Sequence, residues 1–202
     1  MADINPKEAR KHEILEAAFQ AFAEKGYDKT SVDDIVRVSG LSKGTLYWYF
    51  ESKQAIFVAL VTHVFDAFSE VFKQFVTETE DLPPDKQLQM LINSSSQMMD
   101  AVPEFSGLYI DFFVQAWQYE AVQETLVRVY NQYVEMLRKI LRRGIDEGVF
   151  RPVNIEATAC AIAGAVDGIW FQRILNINQD DEPMYALADI ILHGVVKGKH
   201  NV

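Results

Sequence analysis

The residues best suited to binding chemistry lie close together, between Ser42 and Phe50. At about 100° of rotation per helical residue, Leu46 and Phe50 fall on one side of this segment, whereas Gly44 and Trp48 fall on the other. A glycine permits close approach to a ligand, hydroxyl groups reach base edges and phosphates, and aromatic ring faces contact thymine methyl groups. The outer side of this predicted helix therefore suits the major groove of DNA.

Basic and hydroxyl residues surround this segment at positions that suit phosphate groups. Lys43 stands in its first turn and Lys53 just beyond its end. Thr30 and Ser31 begin the preceding helix, where backbone N–H groups attract anions. The spacing alone leaves a second interpretation open, in which the aromatic residues are ordinary core side chains of a helical bundle: Tyr47, Trp48 and Tyr49.

Apolar residues recur every three or four positions in the surrounding chain, and this period predicts helices. A first helix is predicted over residues 7–25, and a short second helix is capped by Thr30 or Ser31 and ended by Gly40. Because Ser42 can cap a third helix, the turn before it has only about three residues and contains glycine, as a helix-turn-helix requires.

The rest of the chain also has a helical pattern. A long helix is predicted from Ser52 to Thr77, and two prolines follow it. Five more helices are predicted beyond these prolines, at residues 85–100, 103–119, 121–147, 154–175 and 182–197. We therefore predict an all-α protein of about nine helices. Its first domain, residues 1–53, is a three-helix DNA-binding domain, and residues 54–202 form a second helical domain.

The formal net charge of −10 argues against nucleic acid binding when the chain is taken as a whole, since Lys and Arg supply most of the affinity for phosphates. The charge is unevenly distributed, however. Residues 1–53 carry eight basic and nine acidic side chains, whereas residues 54–202 carry eleven basic and twenty acidic side chains. The acidity therefore belongs to the second domain and leaves the DNA-binding prediction intact.

Composition also bears on cofactors and location. The single cysteine, Cys160, can form no internal disulfide, and the four histidines include no pair at zinc-ligand spacing, so we expect no metal and no cofactor. The N-terminal residues are charged and lack the apolar stretch of a signal peptide, and charges or glycines interrupt the other apolar runs. These features predict a soluble cytoplasmic protein that has no membrane partner.

The order of residues is more specific than their spacing. Over residues 9–68, without a gap, the sequence resembles the DNA-binding domain of the tetracycline-repressor (TetR) family, with the helix-turn-helix motif at residues 31–50. The resemblance rests on the segments Lys25-Gly26-Tyr27, Thr30-Ser31-Val32-Asp33-Asp34-Ile35, Ser39-Gly40-Leu41-Ser42-Lys43-Gly44-Thr45-Leu46-Tyr47-Trp48-Tyr49-Phe50 and Ser52-Lys53.

This resemblance implies a repressor that binds a palindromic operator in double-stranded DNA as a homodimer and is released by a small molecule in the C-terminal domain. It also assigns DNA contacts, to Thr30, Ser31, Ser42, Lys43, Gly44, Thr45, Tyr47, Trp48, Tyr49 and Lys53. Tyr49 departs from the family pattern, because a histidine is common at that position.

The dimer interface is expected in the last two predicted helices, residues 154–175 and 182–197. They are rich in Ala, Ile and Gly, and the family resemblance favours a four-helix contact between symmetry mates. Gly164 and Gly168 each cost about 1 kcal/mol relative to alanine inside a helix, which close approach of a neighbouring helix can offset. Such a dimer would place its recognition helices about 34–36 Å apart, one turn of DNA.

Aromatic residues in the second domain suggest a pocket for a hydrophobic effector. The candidates are Phe105, Tyr109, Phe112, Phe113, Trp117, Trp170 and Phe171. Packing in the core competes with this interpretation and is the simpler explanation. Three acidic residues among these aromatics either attract a cationic ligand or face solvent: Asp111, Glu120 and Asp167.

Two other classes of protein compete with a DNA-binding regulator. Gly40-Leu41-Ser42-Lys43-Gly44 satisfies G-x-S-x-G, the nucleophile elbow of a serine hydrolase, with His193 as the candidate base. That elbow needs an apolar strand before the serine, whereas the residues before Ser42 have helical spacing and carry charges. A helical adaptor that binds only protein would explain the acidic second domain but leaves the Thr30 to Lys53 pattern without a purpose. Neither class is favoured, and no catalytic residue is predicted.

Overall fold

The structure of this protein is a computed structural model that describes residues 5–100, 105–177 and 180–195, without the side chains of residues 96–100 and 105–107. All of the long regular elements within these ranges are α-helices, which confirms the predicted fold class. The helices are α1 (Pro6–Lys25), α2 (Val32–Ser39), α3 (Lys43–Tyr49), α4 (Lys53–Thr79), α5 (Pro84–Asp100), α6 (Phe105–Ala116), α7 (Glu120–Asp146), α8 (Ile155–Ile174) and α9 (Glu182–Val195).

The end of α6 differs from the prediction. Helix α6 was expected to reach residue 119 but ends at Ala116, because the N–H groups of Trp117 and Tyr119 donate to carbonyls of the last turn and reverse the chain into α7. No glycine or proline marks this reversal, so the apolar period alone predicted a helix that is too long. The expected end of α9 at residue 197 lies outside the described residues.

Local capping explains where α2 begins and ends and where α3 begins. Ser31 caps α2 in a reciprocal box, in which its side chain accepts the Asp34 N–H and the Asp34 carboxylate accepts the Ser31 N–H. Gly40 ends α2 in the left-handed conformation, with φ of 67°. Ser42 then caps α3, so only three residues separate the two helices.

The described chain divides into two compact units. The first comprises Met1–Ala67 and Glu104–Val127, and the second comprises Phe68–Pro103 and Arg128–Val202. The first unit therefore contains α1, α2, α3, the first half of α4, α6 and the start of α7. This division differs from the boundary at residue 53 inferred from the sequence, because α6 packs with α1, which precedes it by eighty residues or more.

The core of the first unit is built from apolar faces of these helices. Ile14 and Phe22 of α1, Ile35 of α2 and Leu46 of α3 are all buried. The ring of Phe57 on α4 contacts the ring of Phe22 edge-on, with centroids 5.4 Å apart. This packing orients α3 within the helix-turn-helix.

The second unit has a core of its own. Leu88 and Ile92 of α5, Leu137 and Leu141 of α7, and Ile162 of α8 are fully buried there. Helix α9 packs against α5 and α8. The helices of this unit thus enclose a continuous apolar interior.

Helix α4 is long and apolar enough to cross a membrane by length and composition alone. Several of its apolar residues lie in the core of the first unit, however, where Ile56, Phe57, Leu60 and Val61 are buried. We therefore interpret α4 as a core helix of a folded domain.

Candidate nucleic-acid interface

Helix α3 is held by an N-cap at one end and an apolar anchor on one face. The Ser42 hydroxyl oxygen accepts the Thr45 N–H at 3.0 Å and lies 2.8 Å from the Thr45 hydroxyl. Leu46 and Phe50 are buried, as the helical rotation predicted. The helix therefore has one inner face, opposite which Lys43, Gly44, Tyr47 and Trp48 are exposed.

The outer face of α3 exposes large aromatic side chains. Trp48 is 68% exposed and Tyr47 is 48% exposed, while Gly44 is also on the surface. The interpretation of Tyr47 and Trp48 as core residues is therefore wrong. Tyr49 is half-buried, and its ring meets that of Trp48 edge-on with centroids 4.6 Å apart. An indole left in water loses the favourable free energy of burial, so this face suits contact with a partner.

Lys43 stands beside this face and is oriented by an ion pair. Its Nζ lies 2.8 Å from a carboxylate oxygen of Asp33 on α2. The hydrogen bond from Lys43 to Asp33, with the attraction between the two charges, raises the pKa of the Lys43 ammonium group. Both side chains are largely exposed, so the pair positions the cation without adding much stability.

Asp34 ties α2 to α1. Lys25 at the end of α1 donates to one carboxylate oxygen at 2.5 Å, and the backbone N–H of Ser31 donates to the other at 2.9 Å. These hydrogen bonds, led by that from Lys25, hold the pKa of the Asp34 carboxyl well below its usual range. The hydroxyl of Ser31, a predicted DNA contact, also donates to Asp34 and remains exposed.

Two of the predicted DNA contacts, Thr30 and Lys53, donate from their side chains to backbone carbonyls of the protein. Thr30 is only 2% exposed, and its hydroxyl donates to the carbonyls of Gly26 and Ala21 at 2.8 and 3.1 Å. Its side chain therefore points inward, and the expected contact from this hydroxyl is corrected. Lys53 is half-buried, and its Nζ donates to the Tyr27 carbonyl at 2.8 Å.

One basic residue near this surface was not singled out by sequence reasoning. The Nζ of Lys7, in the first turn of α1, lies 5.3 Å from the centre of the Trp48 ring. This distance is typical of a cation–π contact. The sequence shows a basic residue at the start of the first helix, but no neighbouring residue indicates that its side chain reaches α3.

Two protein-family models match the chain. Residues 14–60 match the model described as bacterial regulatory proteins, tetR family, and residues 84–197 match the BetI-type transcriptional repressor, C-terminal model. The chain belongs to the tetR family. This membership confirms the resemblance inferred from the helix-turn-helix, and the protein is accordingly a DNA-binding transcriptional repressor in a family of regulators.

Three known regulators are similar to this protein along nearly the whole chain. The HTH-type transcriptional regulator YfiR of Bacillus subtilis is 29% identical, over 91% of this chain and 88% of its own length. A TetR transcription regulator from Haloarcula marismortui has a TM-score of 0.82 at 22% identity and covers 94% of this chain and 100% of its own. FadR of Bacillus subtilis, solved in complex with stearoyl-CoA, has a TM-score of 0.72 at 22% identity and covers 94% of this chain and 99% of its own.

The serine hydrolase alternative is not supported for this tetR-family protein. Ser42 follows α2 and caps α3, so it lies between two helices, whereas a nucleophile elbow joins a strand to a helix. The ring of His193 contacts the Asp189 carbonyl of its own helix at 2.9 Å. Among the described residues, no three side chains of metal-ligand type converge on a common point.

The aromatic effector candidates fall into both units. In the first unit, the ring of Phe112 is fully buried and packs against Phe57 and Phe65, so it is a core residue there. Tyr109 is also buried and its ring contacts that of Phe113, which is half-exposed. The side chain of Phe105 lies outside the described residues.

Trp117 does not line a pocket. It follows the last turn of α6 and is 93% exposed, so the expectation that it contacts an effector inside the protein is corrected. The chain reverses at this point, and the reversal turns the indole into solvent.

In the second unit, Trp170 of α8 is half-buried and its indole N–H donates to the Ser95 carbonyl at 3.0 Å. Ser95 also lies 3.4 Å from the hydroxyl of Tyr133, whose ring contacts Phe72. Burial raises the pKa of Tyr133 to about 12. Phe171, the other candidate on α8, is half-exposed. A pocket that combines residues of both units stays a prediction.

Proposed function

We propose that this repressor reads operator DNA with the outer face of α3 in the major groove. The observation that carries the proposal is the exposure of Tyr47 and Trp48 on a short helix whose opposite face is anchored by buried Leu46. The proposed contact residues are Ser31, Ser42, Lys43, Gly44, Thr45, Tyr47, Trp48, Tyr49 and Lys53.

These residues divide into two chemical roles. Gly44 permits close approach, and Tyr47 and Trp48 offer a hydroxyl and ring faces to base edges and thymine methyl groups. Lys43 and Ser31 flank the groove and suit phosphate oxygens, which set position rather than sequence. The Nζ of Lys53 is committed to the Tyr27 carbonyl, so its role at the DNA includes holding the loop before α2.

Selection of bound sequences from random double-stranded DNA would supply the operator for testing this surface. Lys43→Ala should weaken binding to that operator and reduce the slope of log affinity against log salt by about 1, because one phosphate contact is lost. Tyr47→Phe should weaken binding without changing the salt slope. Lys86→Ala, an exposed lysine on α5, is the matched control. If both α3 variants bind like the control, the assigned face is wrong.

A homodimer would bring two such faces onto one palindromic operator. Supporting this, an exposed stripe of small residues runs along α8 through Ala157, Ala161, Gly164 and Gly168. A Cβ added at either glycine would meet no atom of the same chain within 4 Å. The apolar and small residues of α8 are spread around the helix and are not confined to one stripe, so part of its outer side suits contact with another helix. A symmetry mate would provide that contact and the spacing of about 34–36 Å between recognition helices.

Release from DNA is proposed to follow binding of a small hydrophobic effector in the second domain, in the cytoplasm. The match to a BetI-type repressor C-terminal model and the stearoyl-CoA complex of FadR support this. An effector acts only through a difference in affinity between the DNA-bound and free conformations. Titrating stearoyl-CoA and a lipophilic library against the operator complex would test it. A compound that stabilises the protein against heat but leaves operator affinity unchanged would contradict this mechanism.

A further inference from the structure

The loop between α1 and α2 is held by a residue 84 positions away in the chain. The backbone N–H of Tyr27 donates to a carboxylate oxygen of Asp111, on α6, at 2.8 Å. Gly26, just before it, has φ of +77°, and a Cβ added there would lie 3.5 Å from the same oxygen. The glycine thus gives the chain a conformation that L-residues seldom adopt, and this conformation presents the next N–H to Asp111.

The side chain of Tyr27 is also held, by a residue that follows α6. Its hydroxyl lies 3.0 Å from the hydroxyl of Tyr119, just beyond the end of α6. Tyr27 is 5% exposed, and its ring packs on those of Phe22 and Phe57. Burial, followed by the hydrogen bond with Tyr119, raises the pKa of the Tyr27 phenol. The Tyr27 phenol therefore remains protonated at physiological pH, and its hydrogen bond links the DNA-binding helices to the chain just beyond α6.

The other side of this loop is fixed by α4. Lys53 donates to the Tyr27 carbonyl, and its ammonium group lies 4.4 Å from the centre of the Tyr27 ring. The amide, carbonyl and side chain of one residue thus have separate partners. Ser31, the N-cap of α2, follows four residues later, so the position of Tyr27 sets where the helix-turn-helix begins.

We propose that Asp111 and Tyr119 are positioning residues for operator binding: they hold Tyr27, and through it the start of α2, in the geometry that presents α3 to DNA. Neither residue is among the proposed DNA contacts. The proposal rests on operator binding through α3.

The test compares variants of Asp111 in the full-length protein on the selected operator, by fluorescence anisotropy. Asp111→Ala removes the acceptor and should weaken operator binding about tenfold, within the usual range for coupling between sites. Asp111→Asn keeps a side-chain oxygen that can accept the Tyr27 N–H, and should recover most of this loss. Glu120→Gln, an exposed neighbour with the same loss of charge, should bind like the wild type.

Hydrogen exchange of the Tyr27 amide is a second measurement. It distinguishes loss of this one hydrogen bond from a general loss of stability. Exchange should accelerate in Asp111→Ala and return towards wild type in Asp111→Asn, with the buried amides of α4 unchanged. If Asp111→Ala does not fold, the double variant Asp111→Asn with Tyr119→Phe replaces it and should bind several-fold more weakly than Asp111→Asn.

Three results would overturn the proposal. These are wild-type operator affinity in Asp111→Ala, equal weakening in Asp111→Ala and Asp111→Asn with the Tyr27 amide still protected, or wild-type affinity in the double variant when that variant is used. Failure of the α3 surface is a separate outcome, because it would show as unaltered binding in Lys43→Ala and Tyr47→Phe whatever the Asp111 variants do.

Discussion

Asp34 joins three parts of the DNA-binding unit through one carboxylate. It accepts hydrogen bonds from Lys25 on α1, from the Ser31 cap and from Arg37 on its own helix. All three interactions are stronger with the ionised carboxylate, and the hydrogen bonds from Lys25 and Ser31 lower its pKa below that of an unfolded aspartate. The docking of α2 on α1 therefore depends on pH in the acid range.

The contribution of Asp34 to folding stability falls in acid. Because the pKa of Asp34 is lower in the folded state, its contribution is complete above the unfolded value of about 4 and is lost as pH falls towards the folded value. We expect wild-type stability to drop from pH 5 to pH 3 more steeply than that of Asp34→Asn, by urea unfolding at each pH. Asp81→Asn, at an exposed carboxylate, is the control. Parallel pH profiles for wild type and Asp34→Asn would refute this.

At the scale of elements, the end of α7 depends on a close approach between a helix and a ring. The N–H groups of Val149 and Phe150 both donate to the Gly144 carbonyl, which folds the chain back over the helix. Phe150 is buried, and its ring lies where a Cβ on Gly144 would stand, 2.1 Å from the nearest ring carbon. Only glycine leaves room for this turn.

Gly144→Ala should therefore destabilise the protein, even though alanine favours a helix by about 1 kcal/mol. The buried ring cannot move without disturbing the core, and overpacking of this kind costs about 1–3 kcal/mol. The midpoint of urea unfolding measures the loss. Gly44→Ala serves as the comparison, since its Cβ would lie 3.8 Å from the nearest atom, and it should not lower stability. Equal midpoints for the two variants would argue against the steric explanation.

At the scale of the whole molecule, the proposed dimer explains the apolar surface of α8 and α9. Ile190 on α9 is 67% exposed, and Phe171 and Leu175 near the end of α8 are about half exposed. A single chain gains nothing from leaving these side chains in water. Pairing with a symmetry mate would bury them alongside the small residues of α8.

Ile190→Glu should convert the dimer to a monomer, because it places a charge in the proposed interface. Sedimentation velocity at micromolar concentration measures this, and operator affinity should fall with it. Ile177→Glu makes the same change at a residue that is 63% exposed between the two helices and should leave the dimer intact. A wild-type monomer under these conditions, or a stable Ile190→Glu dimer, would rule out the interface.

Local features of the sequence were sufficient for the helices and for the inner and outer faces of α3. Capping by Ser31 and Ser42 and termination by Gly40 act within a few residues, so the helix-turn-helix can be predicted from neighbouring positions alone. The orientation of Leu46 and Trp48 follows from helical geometry once the helix exists. The order of these residues also identified the family, which the two family models confirm.

The partners of individual side chains were decided by the tertiary structure. The sequence placed Thr30, Lys53 and Trp117 at binding sites, whereas the folded chain turns the Thr30 hydroxyl inward, commits Lys53 to a loop carbonyl and leaves Trp117 in solvent. It also packs α6 with the DNA-binding helices through Asp111 and Tyr119. Periodicity and capping report interactions over one or two turns, whereas these contacts join residues about 10 to 90 positions apart, so only the packing of the helices could determine them.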